Sequence, residues 1–258
     1  MELAANSRRI DLWCTYISEI GDDSLWPRYE ALLSPDERAR RARYRFARDR
    51  RRHLVTRALV RTVLSRYVPV PPTDWSFEPG PRGRPAISAP RVEPGLEFNI
   101  SHSSDLVMVG VTSGRALGVD AESIEAREAD IDGLDRYFAP SESAALLALP
   151  PAARRRRFFE LWTLKESYIK ARGLGLAIAL DAFSFELTGE RELLLHMRPR
   201  LGDSPAGWHL WQLDLRAGYL AAVCAARAAG AAPQIVVREV VPLAGERIIE
   251  IAVSRSTG

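Results

Sequence analysis

Only two lysines occur in the chain, and both lie in one short segment. Lys165 and Lys170 belong to the sequence WTLKESYIK, whereas 34 of the 36 basic residues are arginine. A lysine ammonium is a compact point charge, while arginine offers a rigid planar fork. Two ammonium groups beside a tryptophan and a glutamate, Glu166, predict a site that binds phosphate. The alternative is a solvated helix face on which the lysines have no special role.

Helical spacing in this segment adds an acid to the lysines. Trp162, Glu166 and Lys170 follow one another at intervals of four residues and would share one helix face. Lys165 is rotated by about 100° from Glu166 and is expected to reach around the rim of the helix. Glu166 could complete a metal site or accept a proton. An ordinary surface ion pair between Glu166 and Lys170, with Trp162 in the core, explains the same spacing.

A second pair of acids ends a predicted strand. Asp120 and Glu122 are two residues apart, so on a strand their carboxylates point to the same face. Adjacent carboxylates repel unless a cation lies between them. Oxygen-only ligands suit a hard ion, and Mg²⁺ typically binds one or two carboxylates together with substrate phosphates. The alternative is an exposed strand end with two solvated acids.

Two further segments carry polar groups where an element ends. The sequence FNISHS contains Ser101 and His102, where an alternating strand gives way to polar residues. No G-x-S-x-G elbow accompanies them, so a hydrolase is disfavoured. His102 is expected to donate a hydrogen bond to an anion or to have a structural role. Gly83, Arg84 and Pro85 lie in a loop, where glycine permits close backbone approach and proline stiffens the turn.

Local signals predict the elements that position these residues. Residues 34–37, SPDE, combine a serine N-cap, a proline at the first helical position and a glutamate three residues after the cap. The helix ending near Arg172 is followed by Gly173, which suits a left-handed C-cap. By periodicity and breakers we expect helices over about 35–48, 51–67 and 152–171, a loop over 79–94, and strands over 75–78, 96–100, 106–112, 116–122, 193–197, 208–215, 220–226, 234–240 and 247–253.

The order of elements repeats along the chain. Residues 138–144 resemble 33–39, and 183–186, FSFE, match 75–78, WSFE. Each half therefore runs from helices to several strands. We predict an α+β fold of two similar lobes, residues 1–115 and 116–258, with the tail after Arg227 given no role.

Composition bounds the class of protein. At 258 residues the chain can bury a full core. The two cysteines are far apart, which argues for a reducing compartment and against structural zinc. With no long apolar run and no apolar signal core in residues 1–9, we expect a cytoplasmic protein with no membrane partner.

Basic charge is concentrated in two runs. Nine arginines lie within residues 38–52, and residues 154–157 are four arginines. These runs could attract polyanions or simply form solvated helix faces. Because 33 acidic residues nearly offset the 36 basic ones, we expect no nucleic-acid partner.

Taken in order, these segments resemble the motifs of the Sfp-type 4'-phosphopantetheinyl transferases. The resemblance covers roughly residues 30–225 and rests on four segments and a glycine loop. These are GRP at 83–85, FNISHS at 98–103, GVDAE at 118–122, WTLKESYIK at 162–170 and GLGL at 173–176. The resemblance implies two pseudo-symmetric lobes with an active site in the cleft between them, in a monomeric enzyme.

The resemblance also implies a reaction and its partners. Such an enzyme moves the 4'-phosphopantetheine arm of coenzyme A onto a serine of an acyl, aryl or peptidyl carrier protein and releases 3',5'-ADP. By similarity, Mg²⁺ would be held by three carboxylates, those of Asp120, Glu122 and Glu166. Glu166 is also the candidate base that deprotonates the carrier serine, directly or through water.

By the same similarity, the remaining motif residues would bind coenzyme A. The contacts expected with its phosphates come from Ser101, His102, Lys165 and Lys170. Arg52 would meet the 3'-phosphate, and Gly83, Arg84 and Pro85 would frame the adenine. Arg84 stands where lysine is common in the family, and Ala121 supplies no metal ligand, so that water would complete the shell of the ion.

Two other classes of function are compatible with these segments. A Mg²⁺-dependent phosphohydrolase or nuclease would use the same acids without an acceptor protein. A non-catalytic polyanion-binding module would use the arginines of residues 38–52, and its binding would weaken steeply with salt.

Overall fold

The computed structural model of the protein describes residues 8–93, 95–126 and 129–258, which form an α+β fold. The sequence predicts no signal core in residues 1–9, and residues 1–7 of that segment lie outside the described residues. The helices are α1 (Leu25–Leu32), α2 (Pro35–Ala42), α3 (Ala47–Leu64), α4 (Pro140–Leu147) and α5 (Pro151–Arg172). No helix in the described ranges is long and apolar enough to cross a membrane.

Thirteen strands are formed by the described residues. In chain order they are β1 (Arg9–Tyr16), β2 (Ser76–Pro79), β3 (Pro85–Ala89), β4 (Leu96–Ser103), β5 (Leu106–Ser113), β6 (Leu117–Ser123), β7 (Phe183–Thr188), β8 (Glu192–Met197), β9 (Trp208–Leu215), β10 (Tyr219–Ala226), β11 (Gln234–Val241), β12 (Gly245–Ile249) and β13 (Val253–Ser256).

The chain divides into two compact units. The first comprises the described residues of 1–100, 105–114 and 233–250, and the second those of 101–104, 115–232 and 251–258. The predicted boundary at 115/116 lies beside one of these divisions. The predicted C-terminal lobe, 116–258, differs from the second unit because residues 233–250 belong to the first.

The first unit is built on a five-stranded sheet in the order β12-β11-β1-β5-β4, with β2 and β3 as a separate two-stranded sheet. Helix α3 buries an apolar side that includes Leu59 and Val63, and these residues pack in one core with Trp13 and Val109. Strand β1, which we did not predict, is buried along nearly its whole length. It therefore forms the centre of this sheet.

The second unit is built on a six-stranded sheet in the order β6-β10-β9-β13-β8-β7. Helix α5 packs on this sheet, and Phe159, Tyr168, Leu210 and Leu220 share one core. The helix ends at Gly173, whose φ of 63° is left-handed, as the sequence predicts.

The C-terminal tail contributes strands to both units. Strand β11 pairs in parallel with β1, from Arg9 opposite Gln234 to Cys14 opposite Glu239. Strand β13 then pairs with β9 and meets β8 at Ser256. The tail is thus part of both sheets rather than an appendage. The expected loop 79–94 also contains a strand, β3, which pairs with β2.

A buried ion pair covers the edge strand β7 in the second unit. Lys165 Nζ lies 2.9 Å from Glu142 Oε2, and both side chains are fully buried. Lys165 Nζ also donates to the carbonyl oxygens of Leu180 (2.7 Å) and Phe183 (2.8 Å). Glu142 Oε1 accepts the Phe185 N–H at 2.8 Å. The pair therefore satisfies backbone groups on the side of β7 where no strand follows.

The same arrangement occurs in the first unit with arginine as the cation. Glu37 accepts the Ser34 N–H in the predicted capping box. Its Oε2 also lies 2.8 Å from Nη2 of Arg61, a residue that is 1% exposed. Arg61 Nη1 then donates to the Trp75 carbonyl oxygen at 2.8 Å. A glutamate in the first turn of one helix thus binds a cation of the next helix in both units, and this supports the predicted internal repeat.

We expect Lys165→Met to destabilise the fold because it leaves the Glu142 carboxylate buried without its cation. Removing one partner of a buried pair typically costs about 3–5 kcal/mol. Urea unfolding should show this loss. Arg156→Met removes a half-exposed arginine from the same helix and leaves Glu160 paired with Arg157, so it should cost no more than about 1 kcal/mol.

The double variant Glu142→Gln/Lys165→Met provides the test of coupling. It should be more stable than the sum of the single changes predicts, because neither charge then stays buried alone. Additive losses would contradict a direct interaction.

His53 of helix α3 is a buried imidazole among cations. It is 8% exposed, and neither ring nitrogen has a hydrogen-bond partner in the described part of the chain. Its ring lies 5.5 Å from that of Tyr44. Burial, together with the charge of Arg57, lowers the pKa of His53 to about 4 from 6.5. The imidazole is therefore neutral in the folded protein at neutral pH.

This depressed pKa predicts a loss of stability in mild acid. The unfolded chain takes up a proton on His53 below about pH 6.5, while the folded protein resists it until about pH 4. The free energy of unfolding should therefore fall by about 2 kcal/mol more for the natural protein than for His53→Gln between about pH 7.5 and about pH 5. The exposed position His196 supplies the control, His196→Gln. Equal pH dependence in the natural protein and His53→Gln would contradict the prediction.

Candidate functional site

The second unit holds a polar face formed by β6 and α5. Asp120 and Glu122 alternate with buried apolar residues on β6 and are 5% and 8% exposed. At Gly118, on the same side of this strand, an added Cβ would lie 2.0 Å from the carbonyl oxygen of Ser167 on α5. The predicted carboxylate pair therefore faces α5, and glycine is required because helix and strand approach so closely.

Lys170 of α5 contacts this face directly. Its Nζ lies 2.6 Å from Asp120 Oδ1 and donates to the Val119 carbonyl oxygen at 3.1 Å. The lysine remains about one-quarter exposed. A partly exposed lysine side chain is thus held against the Asp120 carboxylate.

Two serines at the end of β4 match the two carboxylates in register. Ser101 Oγ donates to Asp120 Oδ1 at 2.8 Å and accepts the Ala121 N–H at 3.1 Å. Ser103 Oγ donates to Glu122 Oε2 at 2.5 Å and accepts the Ser123 N–H at 3.2 Å. Ser101, predicted to contact coenzyme A, therefore lies in the same site as the predicted metal ligands.

Glu166 lies one helical turn before Lys170 on α5 and, by the helical period, on the same side. Within residues 8–93, 95–126 and 129–258, however, no three His, Cys, Asp or Glu side chains form a group that could hold a metal ion. The structure thus brings Asp120 and Glu122 together. It does not assemble the expected set of three with Glu166, whose role as a ligand stays a prediction.

The residues present nevertheless fit a hard divalent ion. Asp120 Oδ2 is buried and has no hydrogen-bond partner among the described residues. A buried carboxylate oxygen without a partner is costly and calls for a cation or donor. Since both strand residues offer only carboxylate oxygens, the donor set suits Mg²⁺ better than a softer metal.

Lys165 does not belong to this face, contrary to our expectation. Its side chain is fully buried and its three ammonium donors are taken by Glu142, Leu180 and Phe183. The ammonium also lies 4.2 Å from the centre of the Phe183 ring. The predicted reach around the helix rim is wrong because this side of α5 packs into the core, and the role of Lys165 in this structure is to hold β7.

His102 is exposed and lies on β4 between the two serines. Since successive side chains of a strand alternate, it points away from the face that carries Ser101 and Ser103. Its expected contact with a phosphate stays a prediction.

The other residues expected to bind coenzyme A belong to the first unit. Arg52 lies on α3 and donates to Asp49 Oδ1 at 2.8 Å. Gly83 has a left-handed φ of 83°, and Pro85 begins β3. Arg84 Nη2 donates to the Phe98 carbonyl oxygen at 3.1 Å, and burial lowers the pKa of Arg84. Their contacts with the cofactor stay predictions.

Sequence reasoning missed two residues that matter to this unit. Ser103 has the same two-residue spacing from Ser101 that Glu122 has from Asp120, and that shared period was a usable signal. Glu142 occupies the third helical position after Ala139, and its Oε2 accepts the Ala139 N–H at 2.8 Å. The capping position was visible in sequence, but its second role as a partner of Lys165 was not.

Comparison with protein families gives matches over both units. Residues 116–224 match the sequence model of the 4'-phosphopantetheinyl transferase superfamily. Residues 22–113 match that of the N-terminal region of 4'-phosphopantetheinyl transferases. The first match contains the carboxylates of β6 and the whole of α5.

Individual relatives extend over most of the chain. The 4'-phosphopantetheinyl transferase HetI of Nostoc sp. is 35% identical over 197 residues, covering 76% of this chain and 79% of the relative. The 4'-phosphopantetheinyl transferase Sfp of Bacillus subtilis is 33% identical, with 77% and 84% covered. The enzyme psf-1 of Bacillus pumilus is 32% identical, with 77% and 81% covered. With the site of Asp120, Glu122 and Lys170 inside these matches, the chain belongs to the 4'-phosphopantetheinyl transferase superfamily.

Proposed function

We propose that the protein transfers the 4'-phosphopantetheine arm of coenzyme A to a serine of an acyl, aryl or peptidyl carrier protein. The observation that carries this proposal is the face on which Lys170 lies 2.6 Å from Asp120, beside Glu122. Membership of the superfamily supports the reaction class. A monomer without nucleic-acid partners, acting in the cytoplasm, is part of the same proposal.

The chain's own residues would bind and orient the pyrophosphate. Lys170 is held by the Val119 carbonyl oxygen and Asp120, so its ammonium is fixed in place before a ligand arrives. A positioned ammonium offers charge-assisted hydrogen bonds to phosphate oxygens. His102, exposed beside Ser101, and the first-unit residues Arg52 and Arg84 are proposed as further contacts with the cofactor.

Mg²⁺ is proposed to bind Asp120 and Glu122, with Glu166 as a third ligand. When bound, such an ion neutralises charge on a pyrophosphate and so favours departure of a phosphate leaving group. Ser101 and Ser103 each donate to one carboxylate.

The transfer itself needs a base and correct alignment. The carrier serine oxygen forms a bond to the phosphorus that bears pantetheine, and the bond from this phosphorus to the bridging oxygen of 3',5'-ADP breaks. The serine proton passes to a base, for which Glu166 is the candidate on α5. Phosphoryl transfer depends mainly on positioning and charge neutralisation, so no covalent enzyme intermediate is required.

We expect purified protein with Mg²⁺ and coenzyme A to add about 340 Da to a carrier protein, the approximate formula weight of the arm in a metal-assisted transfer. Intact-protein mass spectrometry measures this directly. Glu166→Gln should lower the rate by at least about 100-fold, because a general base typically contributes that much.

Glu160→Gln, a matched change on the same helix, should leave the rate near that of the natural protein. Thermal unfolding of both variants checks that the fold persists. An unaffected rate in Glu166→Gln would remove Glu166 from both proposed roles, and the absence of any adduct on several carriers would contradict the function.

Substitutions at the two lysines should affect different properties, activity at Lys170 and stability at Lys165. Lys170→Met removes an ammonium from the polar face and should lower kcat/KM for coenzyme A by about ten- to a hundredfold, the typical value of a hydrogen bond to a charged group. Lys165→Met should instead lower stability, and the activity of the folded fraction should be largely retained. Equal losses of activity per folded molecule would contradict this division of roles.

A further inference from the structure

The two serine–carboxylate contacts of the second unit are related by one register. In each, the serine hydroxyl bonds to the carboxylate nineteen positions later and to the backbone N–H twenty positions later, as Ser101 does with Asp120 and Ala121 and Ser103 with Glu122 and Ser123. Because the bonded residues are two positions apart on both segments, residues 101–103 run parallel to residues 121–123. The backbone of residues 121–123 therefore positions each serine beside its carboxylate.

Each serine hydroxyl accepts from a backbone N–H and donates to a carboxylate. A hydroxyl has one hydrogen to donate and two lone pairs that accept. The Ser123 N–H donates to Ser103 Oγ, and a carboxylate can only accept, so the hydroxyl hydrogen is directed to Glu122. Ser103 is 8% exposed and Glu122 is likewise 8% exposed, so this contact is shielded from water. At 2.5 Å it has the length of a charge-assisted O–H···O⁻ bond.

We propose that Ser103 is a positioning residue for Glu122, which it holds as a ligand for the divalent cation. This inference rests on the proposed function and goes beyond it, since Ser103 is not among the residues expected to contact metal or coenzyme A. The hydroxyl takes one carboxylate oxygen, Oε2, and restrains the side-chain torsions. Groups that orient a metal ligand through a hydrogen bond typically contribute 10- to 100-fold to metal affinity.

The contrast with Ser101 shows why Ser103 isolates this effect. Asp120 receives both the Ser101 hydroxyl and the Lys170 ammonium on Oδ1, and the sequence predicts that Ser101 itself contacts coenzyme A. Loss of Ser101 would therefore change several interactions at once. Ser103 bonds to Glu122 and to backbone only among its described contacts, so its removal reports on carboxylate orientation.

A matched pair of variants separates the hydroxyl from packing. Ser103→Thr keeps the hydroxyl, and Ser103→Val has nearly the same shape as threonine without it, so both introduce the same extra methyl into a buried site. Binding of Mn²⁺ alone, and of Mn²⁺ with coenzyme A, is followed by electron paramagnetic resonance of the free ion. We expect Ser103→Val to bind Mn²⁺ about 10- to 100-fold more weakly than Ser103→Thr.

A kinetic readout accompanies the binding measurement. In Ser103→Val the Mg²⁺ concentration that gives half-maximal transfer should rise by a similar factor, and kcat at saturating Mg²⁺ should recover towards that of Ser103→Thr. Ser254→Ala removes a hydroxyl bond to the Gln212 carbonyl oxygen in the same unit. This control should leave unchanged both the Mn²⁺ affinity and the Mg²⁺ concentration that gives half-maximal transfer.

The outcomes distinguish the inference from the function. Equal Mn²⁺ affinity in Ser103→Thr and Ser103→Val would overturn the role of Ser103 and leave the proposed transferase intact. Failure of the natural protein to bind Mn²⁺, with or without coenzyme A, would overturn the proposed metal site together with this inference.

Discussion

The second unit depends on one buried ammonium, that of Lys165, in which every N–H donor has an acceptor. A lysine ammonium has three N–H donors, and in Lys165 they meet the carboxylate of Glu142 and the carbonyl oxygens of Leu180 and Phe183. Burial lowers the pKa of Lys165 and raises that of Glu142, and each charge offsets the effect on the other. Because a buried ion is tolerated only when it is paired and hydrogen-bonded, this geometry ties α4, α5 and β7 to one another.

This constraint sets the orientation of the functional face. Once the Lys165 side of α5 is fixed against β7, the residue five positions later lies on the side that approaches β6. There Gly118 permits contact with the backbone of Ser167, and Lys170 reaches Asp120. Lys165 and Lys170 therefore have different roles because they lie on different sides of α5, one against β7 and the other against β6. The corresponding pair in the first unit, Glu37 and Arg61, holds α2 and α3 by the same means.

Sequence predicted what local signals determine and missed what depends on distant pairing. The capping box of Ser34 and the glycine stop at Gly173 were confirmed because both act within one turn of a helix. The carboxylate face of β6 followed from the period of a strand. The start of α3 at Ala47, the strand β3 and the insertion of β13 beside β9 were not predicted, because flanking turns and tertiary pairing decide them. Strand β13 in particular, VSRS, has no apolar alternation to reveal it.

The error on Lys165 shows where pattern reasoning fails in physical terms. A helical wheel gives the angle between Lys165 and Glu166 but not which side faces the core, and α5 buries residues on several sides, among them Leu161, Leu164 and Tyr168. The rarity of lysine was still informative, for two different reasons. At position 165 three acceptors surround a compact ammonium. A planar guanidinium has five donors, and some of them would lack an acceptor there. At position 170 the Val119 carbonyl oxygen and the Asp120 carboxylate hold the ammonium of a side chain that is about one-quarter exposed. An arginine-rich chain thus retains lysine where donor geometry, rather than charge alone, limits the choice.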